Sequence, residues 1–138
     1  MSDRIFIDTN ILAYSSLQDD LEKHEQSILF LDGLKGSSVF VSTQVMSELS
    51  VVLLKHQVAE VRIIDILNQV SDTFNVSAIT YGTVMRAWKV KQKRRFSYWD
   101  SLIIASALES ECTRLVTEDL QDGQIVDRKL RIVNPFIS

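Results

Sequence analysis

Arg4-Ile5-Phe6-Ile7-Asp8 is the stretch that decides the fold class. Its apolar residues run on without polar alternation, which is how a strand buried on both faces reads, and the run stops abruptly at an acid. Ser38-Val39-Phe40-Val41 repeats the pattern, Phe74-Asn75-Val76 offers a short third strand, and Thr113–Thr117 and Leu130–Val133 a fourth and fifth. Helical spacing fills the intervals. Leu21, Ile28, Leu29, Leu31 and Leu34 mark a helix over 20–34, with Gly33 and Gly36 at its exit. Ser42 or Thr43 caps a helix through Leu54 whose inner side is Val45, Met46, Leu49, Val52 and Leu53. Val61, Ile64, Leu67 and Val70 predict a helix over 59–70, and Val84, Ala87 and Trp88 one over 80–93. Ser97 opens a last helix, rich in small and apolar residues through Leu108. Strands alternating with helices imply an α/β fold, a parallel sheet with helices on both faces. Ligands of such sheets sit beyond the carboxyl ends of the strands.

The rest of the composition fits one globular domain over 1–138. The chain is 46% hydrophobic and 24% charged, ordinary for a folded protein and far from a disordered one. Four glycines and one proline favour helices on short connections over a many-turned sandwich. The lone Cys112 cannot form an internal disulfide, so a reducing cytoplasm is the expected compartment. Met1-Ser2-Asp3-Arg4 and the few apolar residues after it are too short for a signal peptide, and no apolar run approaches membrane-spanning length. A net charge of −3 argues weakly against nucleic-acid binding through bulk charge, but acids gathered at a metal site leave room for a local basic patch.

Candidate chemistry lies in the acids. Asp8 follows the first strand and Glu118-Asp119 the fourth, so both fall at the ligand edge. A lone acid in such a place is usually a helix cap or a solvated turn, and Asp8-Thr9-Asn10 fits capping. Glu48 borders the apolar face between Val45 and Val52, where an ionised carboxylate needs a partner, either a salt bridge to Lys55 or an Arg, or a metal. Ser97-Tyr98-Trp99-Asp100 matches a capping box, yet the helix it opens is so apolar that its start should meet the strand ends. Four acids, Asp8, Glu48, Asp100 and Asp119, thus converge on one edge, with Asp122 as a possible fifth. Such a group requires a cation or shared protons, and it should burden the metal-free fold. All-oxygen ligands suit Mg²⁺ or Mn²⁺, whereas His24 and His56 have no zinc-site spacing. These ions activate water against phosphodiesters.

Four blocks in this order, Phe6-Ile7-Asp8-Thr9-Asn10-Ile11-Leu12, Ser47-Glu48-Leu49, Asp100 to Ala107, and Thr117-Glu118-Asp119-Leu120-Gln121-Asp122-Gly123, resemble a PIN-domain protein. More narrowly, they are similar to the VapC toxins of bacterial toxin–antitoxin pairs. The resemblance implies a parallel-sheet α/β fold, Mg²⁺ or Mn²⁺ as cofactor and endonucleolytic cleavage of RNA. It implies that Asp8, Glu48, Asp100 and Asp119 form the acidic quartet, that Asn10 and Thr117 orient those acids or a water, and that a cognate antitoxin and a homodimer exist. The role of Asp122 stays open. So does an RNA-processing PIN nuclease without an antitoxin, or a non-catalytic binding module, although the intact quartet argues against the latter.

Lys89-Val90-Lys91-Gln92-Lys93-Arg94-Arg95 is the densest basic run. A helix end often carries such residues to satisfy its dipole. Placed just before Asp100, however, Lys89, Lys91, Lys93, Arg94 and Arg95 are candidate contacts to an RNA backbone. Phe96, Tyr98 and Trp99 are candidates for stacking on unpaired bases, with at least one expected in the core. Other phosphate-handling folds fit less well. A receiver domain needs an acid after its third strand, where this chain has Ser77-Ala78-Ile79-Thr80. A haloacid-dehalogenase-type phosphatase needs Asp where Asn10 stands, and no Gly-rich phosphate loop is present.

Overall fold

The computed structural model describes residues 3–137; Met1 and Ser2, on which part of the signal-peptide expectation rests, lie outside them, as does Ser138. The chain runs β1 (Arg4–Ile7), α1 (Thr9–Ser16), α2 (Leu21–Asp32), β2 (Ser38–Ser42), α3 (Thr43–Lys55), α4 (Glu60–Thr73) and β3 (Asn75–Ser77). It continues through α5 (Tyr81–Lys93), α6 (Tyr98–Glu109), β4 (Arg114–Val116), β5 (Ile125–Val126) and β6 (Leu130–Val133). The strands form one sheet in the order β3-β2-β1-β4-β6-β5, parallel throughout except for β5, which pairs antiparallel with β6.

This order positions the site. From β1 to β3 the chain steps outward in one direction, then returns across the sheet to β4 beside β1. Right-handed crossovers therefore put α1 to α4 on one face and α5 and α6 on the other. The packing agrees: α1 lies on α2 and α3, α3 on α4, and α5 most heavily on α6. Between β1 and β4 the order reverses, and at the carboxyl ends of those strands such a reversal opens a crevice. Asp8 and Thr117 are the first residues beyond the two strands.

The core explains why these runs became central strands. Ile5, Phe6 and Ile7 are buried without a gap, as are Leu115, Val116 and Ile132. Val45, Leu49 and Leu53 of α3 face them from one side and Ile103, Ile104 and Ala107 of α6 from the other. Eight consecutive residues of α6, Ser101 to Leu108, are buried, the property of a helix enclosed on all sides. Cys112 is buried too, and burial pushes its thiol up to about 12, so it is unreactive.

Several expectations need correction. Helix α1 and strand β5 were not foreseen. In α2, Leu34 just beyond the helix is buried, but Leu21, Ile28 and Leu29 are exposed. In α4 the inward residues are Ile63 and Ile66, with Leu67 and Val70 partly covered, while Val61 is 82% and Ile64 59% exposed. Trp88 of α5 lies 47% exposed against Tyr98, and the inward positions are Thr83, Ala87 and Val90. No helix among the described residues is long and apolar enough to cross a membrane.

Candidate active site

Asp8 ends β1 in extended backbone (φ −78°, ψ 163°) and caps α1, its Oδ1 accepting from Thr9 N–H at 2.7 Å. Its other oxygen, Oδ2, accepts from Thr117 Oγ1 at 2.8 Å. Thr117 is fully buried after β4, and having spent its only proton on Asp8 it accepts from Asp119 N–H (3.1 Å) and Asn10 Nδ2 (3.4 Å). Asn10 Nδ2 also donates to Asp119 Oδ2 at 3.0 Å, while its Oδ1 is buried without a partner. A hydroxyl and an amide therefore tie together the ends of the two adjacent strands. These are the two residues to which the family resemblance assigns the orienting of the acids or a water.

Glu48, on the second turn of α3, accepts from Thr9 Oγ1 at 3.0 Å. Neither Lys55 nor an arginine pairs with it among the described residues. Asp100 sits in the first turn of α6, where Ser97 Oγ accepts from its N–H at 3.1 Å. The reciprocal bond of a capping box, from Ser97 N–H to the Asp100 carboxylate, is not formed, and the acid faces the cavity. A reciprocal box does form at α5 between Thr80 and Thr83. Next to Asp119, Glu118 turns away to Lys23 (2.7 Å) and Tyr14.

Asp8, Glu48, Asp100 and Asp119 all line one cavity of about 470 Å³, together with Asn10, Gln44 and Trp99. Asp19 and Asp20, from the connection before α2, line it as well. Asp8 is 6% exposed, and burial raises its carboxyl from 3.8 to about 6, with the charges of Asp119 and Glu48 adding to the rise. The Thr117 hydroxyl and the Thr9 N–H oppose it. Burial also raises Asp100, opposed by the Ser97 hydroxyl and reinforced by Asp119. Asp119 thus acts on both Asp8 and Asp100, and Glu48 on Asp8, while no Lys or Arg among the described residues lines the cavity to neutralise them.

Among the described residues, no three His, Cys, Asp or Glu are drawn close enough to hold an ion as they stand. Glu48, Asp8 and Asp119 are each held by a different Thr or Asn, and closing them on a cation exchanges those hydrogen bonds for coordination. The donor set itself suits a hard dication: carboxylate oxygens, an unpartnered amide oxygen, and neither sulfur nor a chain cation to compete. His56 lines the wall, but its Nδ1 faces the carbonyl of Val52 in its own helix.

The other expected residues lie apart. Asp122 Oδ1 accepts from Asn134 N–H at 2.8 Å, pinning the C-terminal segment, and does not line the cavity. None of Lys89, Lys91, Lys93, Arg94 and Arg95 lines it either. Lys89, Lys93 and Arg94 border a separate cavity with Arg86, Val126 and Asp127, and Lys91 Nζ donates to the Phe96 carbonyl at 3.2 Å. Sequence reasoning missed Thr9, whose hydroxyl carries Glu48, and Gln44. Neither gives a local signal, because their partners lie 39 and 55 residues away.

Comparison with solved structures extends the picture. A toxin–antitoxin complex from Klebsiella pneumoniae aligns with TM-score 0.70 at 20% identity over 96% of this chain and 98% of that one. VapC20 of Mycobacterium tuberculosis, a sarcin–ricin loop cleaving toxin, aligns with TM-score 0.68 at 19% identity over 80% and 86%. VapBC2 from Rickettsia felis, bound to a DNA fragment from its promoter, aligns with TM-score 0.66 at 14% identity over 95% and 99%. At these identities the likeness is one of fold. No curated protein matches the chain in sequence. The family model described as PIN domain, however, matches residues 5–122, from β1 through the acids after β4, and with the fold and cavity above it establishes that this chain belongs to the PIN domain family.

Proposed function

We propose that the chain is a divalent-metal-dependent endoribonuclease, with Mg²⁺ or Mn²⁺ as its cofactor and RNA as its substrate. The observation that carries this reading is the sharing of one cavity by Asp8, Glu48, Asp100 and Asp119, four acids from four elements with no cation of the chain among them. Each role follows from a contact. Asp8, Glu48 and Asp119 are the fixed acids, oriented by Thr117, Thr9 and Asn10, while Asp100 closes the site from α6. A dication bound there supplies positive charge for the developing phosphoryl oxygens and makes water a competent nucleophile near neutral pH. The Asp8 carboxyl must be ionised to hold the ion, and its value in the metal-free chain, raised to about 6, makes protons compete with the cation, so that metal affinity and the activity depending on it should fall as the solution is acidified.

The family resemblance and the solved toxin–antitoxin relatives support a toxin's role with an antitoxin polypeptide as partner, and the resemblance alone supports a homodimer as the assembly. Exposed apolar residues fit a protein partner: Leu21, Ile28 and Leu29 on α2, Val61 and Ile64 on α4. Incubating labelled single-stranded RNA with the purified chain, in Mn²⁺ or in EDTA, tests the activity. Cleavage in Mn²⁺ only, lost in Asp100→Asn, is the expected result; equal cleavage in chelator by a preparation free of other nucleases sinks the mechanism. For the partner, the product of a small neighbouring reading frame should copurify with the chain and be lost on Val61→Ser with Ile64→Ser. A strict monomer in light scattering, with no such product, contradicts that part alone.

A further inference from the structure

Beside the acidic cavity lies a second one, of about 650 Å³, lined by Val51, Val52, Ile79, Leu102, Thr43 and Ser47 and sharing Gln44, Glu48 and Trp99 with the first. Its wall is mostly apolar, yet it carries Glu48, one of the four carboxylates. Trp99 stands on the shared rim with 61% of its surface exposed, a large aromatic left in solvent one residue before Asp100. Of the neighbouring aromatics, Tyr98 packs inward against Ala87, Leu102 and Ala105, and Phe96 packs against the main core. Trp99 is held rather than loose: Tyr98 meets its ring edge-on at 5.2 Å, and Gln44 Nε2 donates to its carbonyl at 3.3 Å.

Gln44 supplies the second observation. It is only 8% exposed between the two cavities, and its Oε1 has no hydrogen-bond partner among the described residues. An unmet buried acceptor carries a desolvation cost, and the residue that bears it lines both cavities. The chain thus sets an aromatic plate, an apolar wall and a spare acceptor next to a phosphodiester site. Nucleobases have the matching features: a π-face, an apolar body and an N–H donor, the exocyclic amino group of adenine, cytosine and guanine or the imino N3–H of uracil.

Resting on the ribonuclease reading above, we propose that this groove takes one unpaired base of the RNA, stacked on Trp99 and satisfying Gln44 Oε1, so that strand cleavage is confined to the neighbouring phosphodiester. A base locked in a duplex cannot enter, which makes the groove the source of single-strand selectivity.

The test is steady-state cleavage, in Mn²⁺, of a single-stranded oligoribonucleotide and of a set carrying one abasic ribonucleotide at each successive position. Trp99→Leu should raise KM roughly five- to a hundred-fold, the range for losing one base–aromatic stack, with kcat little changed, and Trp99→Phe should recover most of it. Gln44→Leu should raise KM for the oligoribonucleotide, and leave unchanged the KM of a substrate with N3-methyluridine, which has no N–H donor on its base, beside the cut. One abasic position should cost the wild type at least as much as Trp99→Leu does, and cost Trp99→Leu less than it costs the wild type. Stabilisation of Trp99→Leu by Mn²⁺ alone should equal the wild type's, which separates this role from the carboxylates'. The inference is overturned if wild type cleaves RNA while Trp99→Leu keeps its KM, if no abasic position matches it, or if Trp99→Leu converts a dimer to a monomer, which assigns the groove to a second copy. Should wild type cleave no RNA at all with Mn²⁺, the ribonuclease reading fails and this one falls with it.

Discussion

The four carboxylates of the acidic cavity come from four separate parts of the chain, whereas Lys89, Lys91, Lys93, Arg94 and Arg95 come from one stretch at the end of α5. Three of the acids are fixed by a Thr or Asn side chain, through Thr117, Thr9 and Asn10; of the five cations, Lys91 alone has a side-chain hydrogen bond among the described residues, to the Phe96 carbonyl. Asp8 is buried, and its charge is opposed by burial and by Asp119 and Glu48. The other four cations are exposed, and water already solvates them. The difference teaches where to look for chemistry. An exposed cation costs the fold little and so says little about purpose. A buried acid without a countercharge costs stability, and a fold that positions its oxygens with a hydroxyl and an amide has tied that cost to a ligand.

The largest effect should come from the hydroxyl that fixes the buried acid. Thr117→Val keeps the shape and removes the proton that Asp8 Oδ2 accepts. Losing an outer partner of a ligand commonly costs 10–100-fold in metal affinity, so Mn²⁺ titration of Thr117→Val should show a loss of about that size, with Thr117→Ser close to wild type. An unchanged affinity in Thr117→Val removes Thr117 from the site. The corresponding change outside the cavity, Asp122→Asn, should leave Mn²⁺ affinity alone, since Asp122 binds the backbone of Asn134.

Next comes the burden of the buried charge itself. The folded value of Asp8, about 6, lies above its ordinary 3.8, so in this window the folded chain holds the proton more tightly than the unfolded chain. Its contribution to metal-free stability is therefore fully present below about 3.8 and lost as pH rises through about 6. The shift corresponds to a ceiling of about 3 kcal/mol. Asp8→Asn should raise metal-free stability at pH 7.5 by a smaller amount, about 1–2 kcal/mol, because an amide cannot accept both bonds that the carboxylate accepts. Its gain should vanish near pH 4. Denaturant titrations at the two pH values decide this; a less stable Asp8→Asn at pH 7.5 makes Asp8 a structural cap. The sequence alone predicts this liability across the cluster, including Asp119. The structure concentrates it at Asp8, since Asp119 is exposed and accepts from Asn10.

The smallest effect should come from the cations. Replacing Lys91, Lys93, Arg94 and Arg95 by Gln should leave Mn²⁺ affinity intact and flatten the salt dependence of RNA binding, by a slope of roughly 0.7 for each phosphate that is no longer neutralised. An unchanged slope makes the run a solvated helix end. Weaker Mn²⁺ binding in this variant breaks the distinction drawn between the two regions.

How much of this was legible depends on how local the signals are. The unbroken apolar runs of β1 and β2 and the largely apolar Leu102–Leu108 stretch of α6 announce central elements, and an acid directly after a strand marks the ligand edge without any tertiary information. Helix α1 escaped because eight residues are too few to display a period, and Asp8-Thr9-Asn10 gives only its cap. Strand β5 is two residues long. In α4 the apolar residues Val61, Ile63, Ile64, Ile66, Leu67 and Val70 make two overlapping stripes, and only packing selects Ile63 and Ile66 for the core. At the site, Asp8 and Asp119 could be read from the strand ends. That Thr9 holds Glu48, and that Gln44 lies between two cavities, depends on residues far apart in the chain.

The central claim is that Asp8, Glu48, Asp100 and Asp119 constitute one cation site, and calorimetric titration with Mn²⁺ in the absence of RNA tests it most directly. Wild type should bind, and Asp8→Asn, Glu48→Gln, Asp100→Asn and Asp119→Asn should each weaken binding. At about a hundred times its dissociation constant, the ion should stabilise wild type against denaturant by roughly 2.7 kcal/mol and each variant by less. Failure of wild type to bind Mn²⁺ or Mg²⁺, or four variants that bind as well as wild type, would contradict the account.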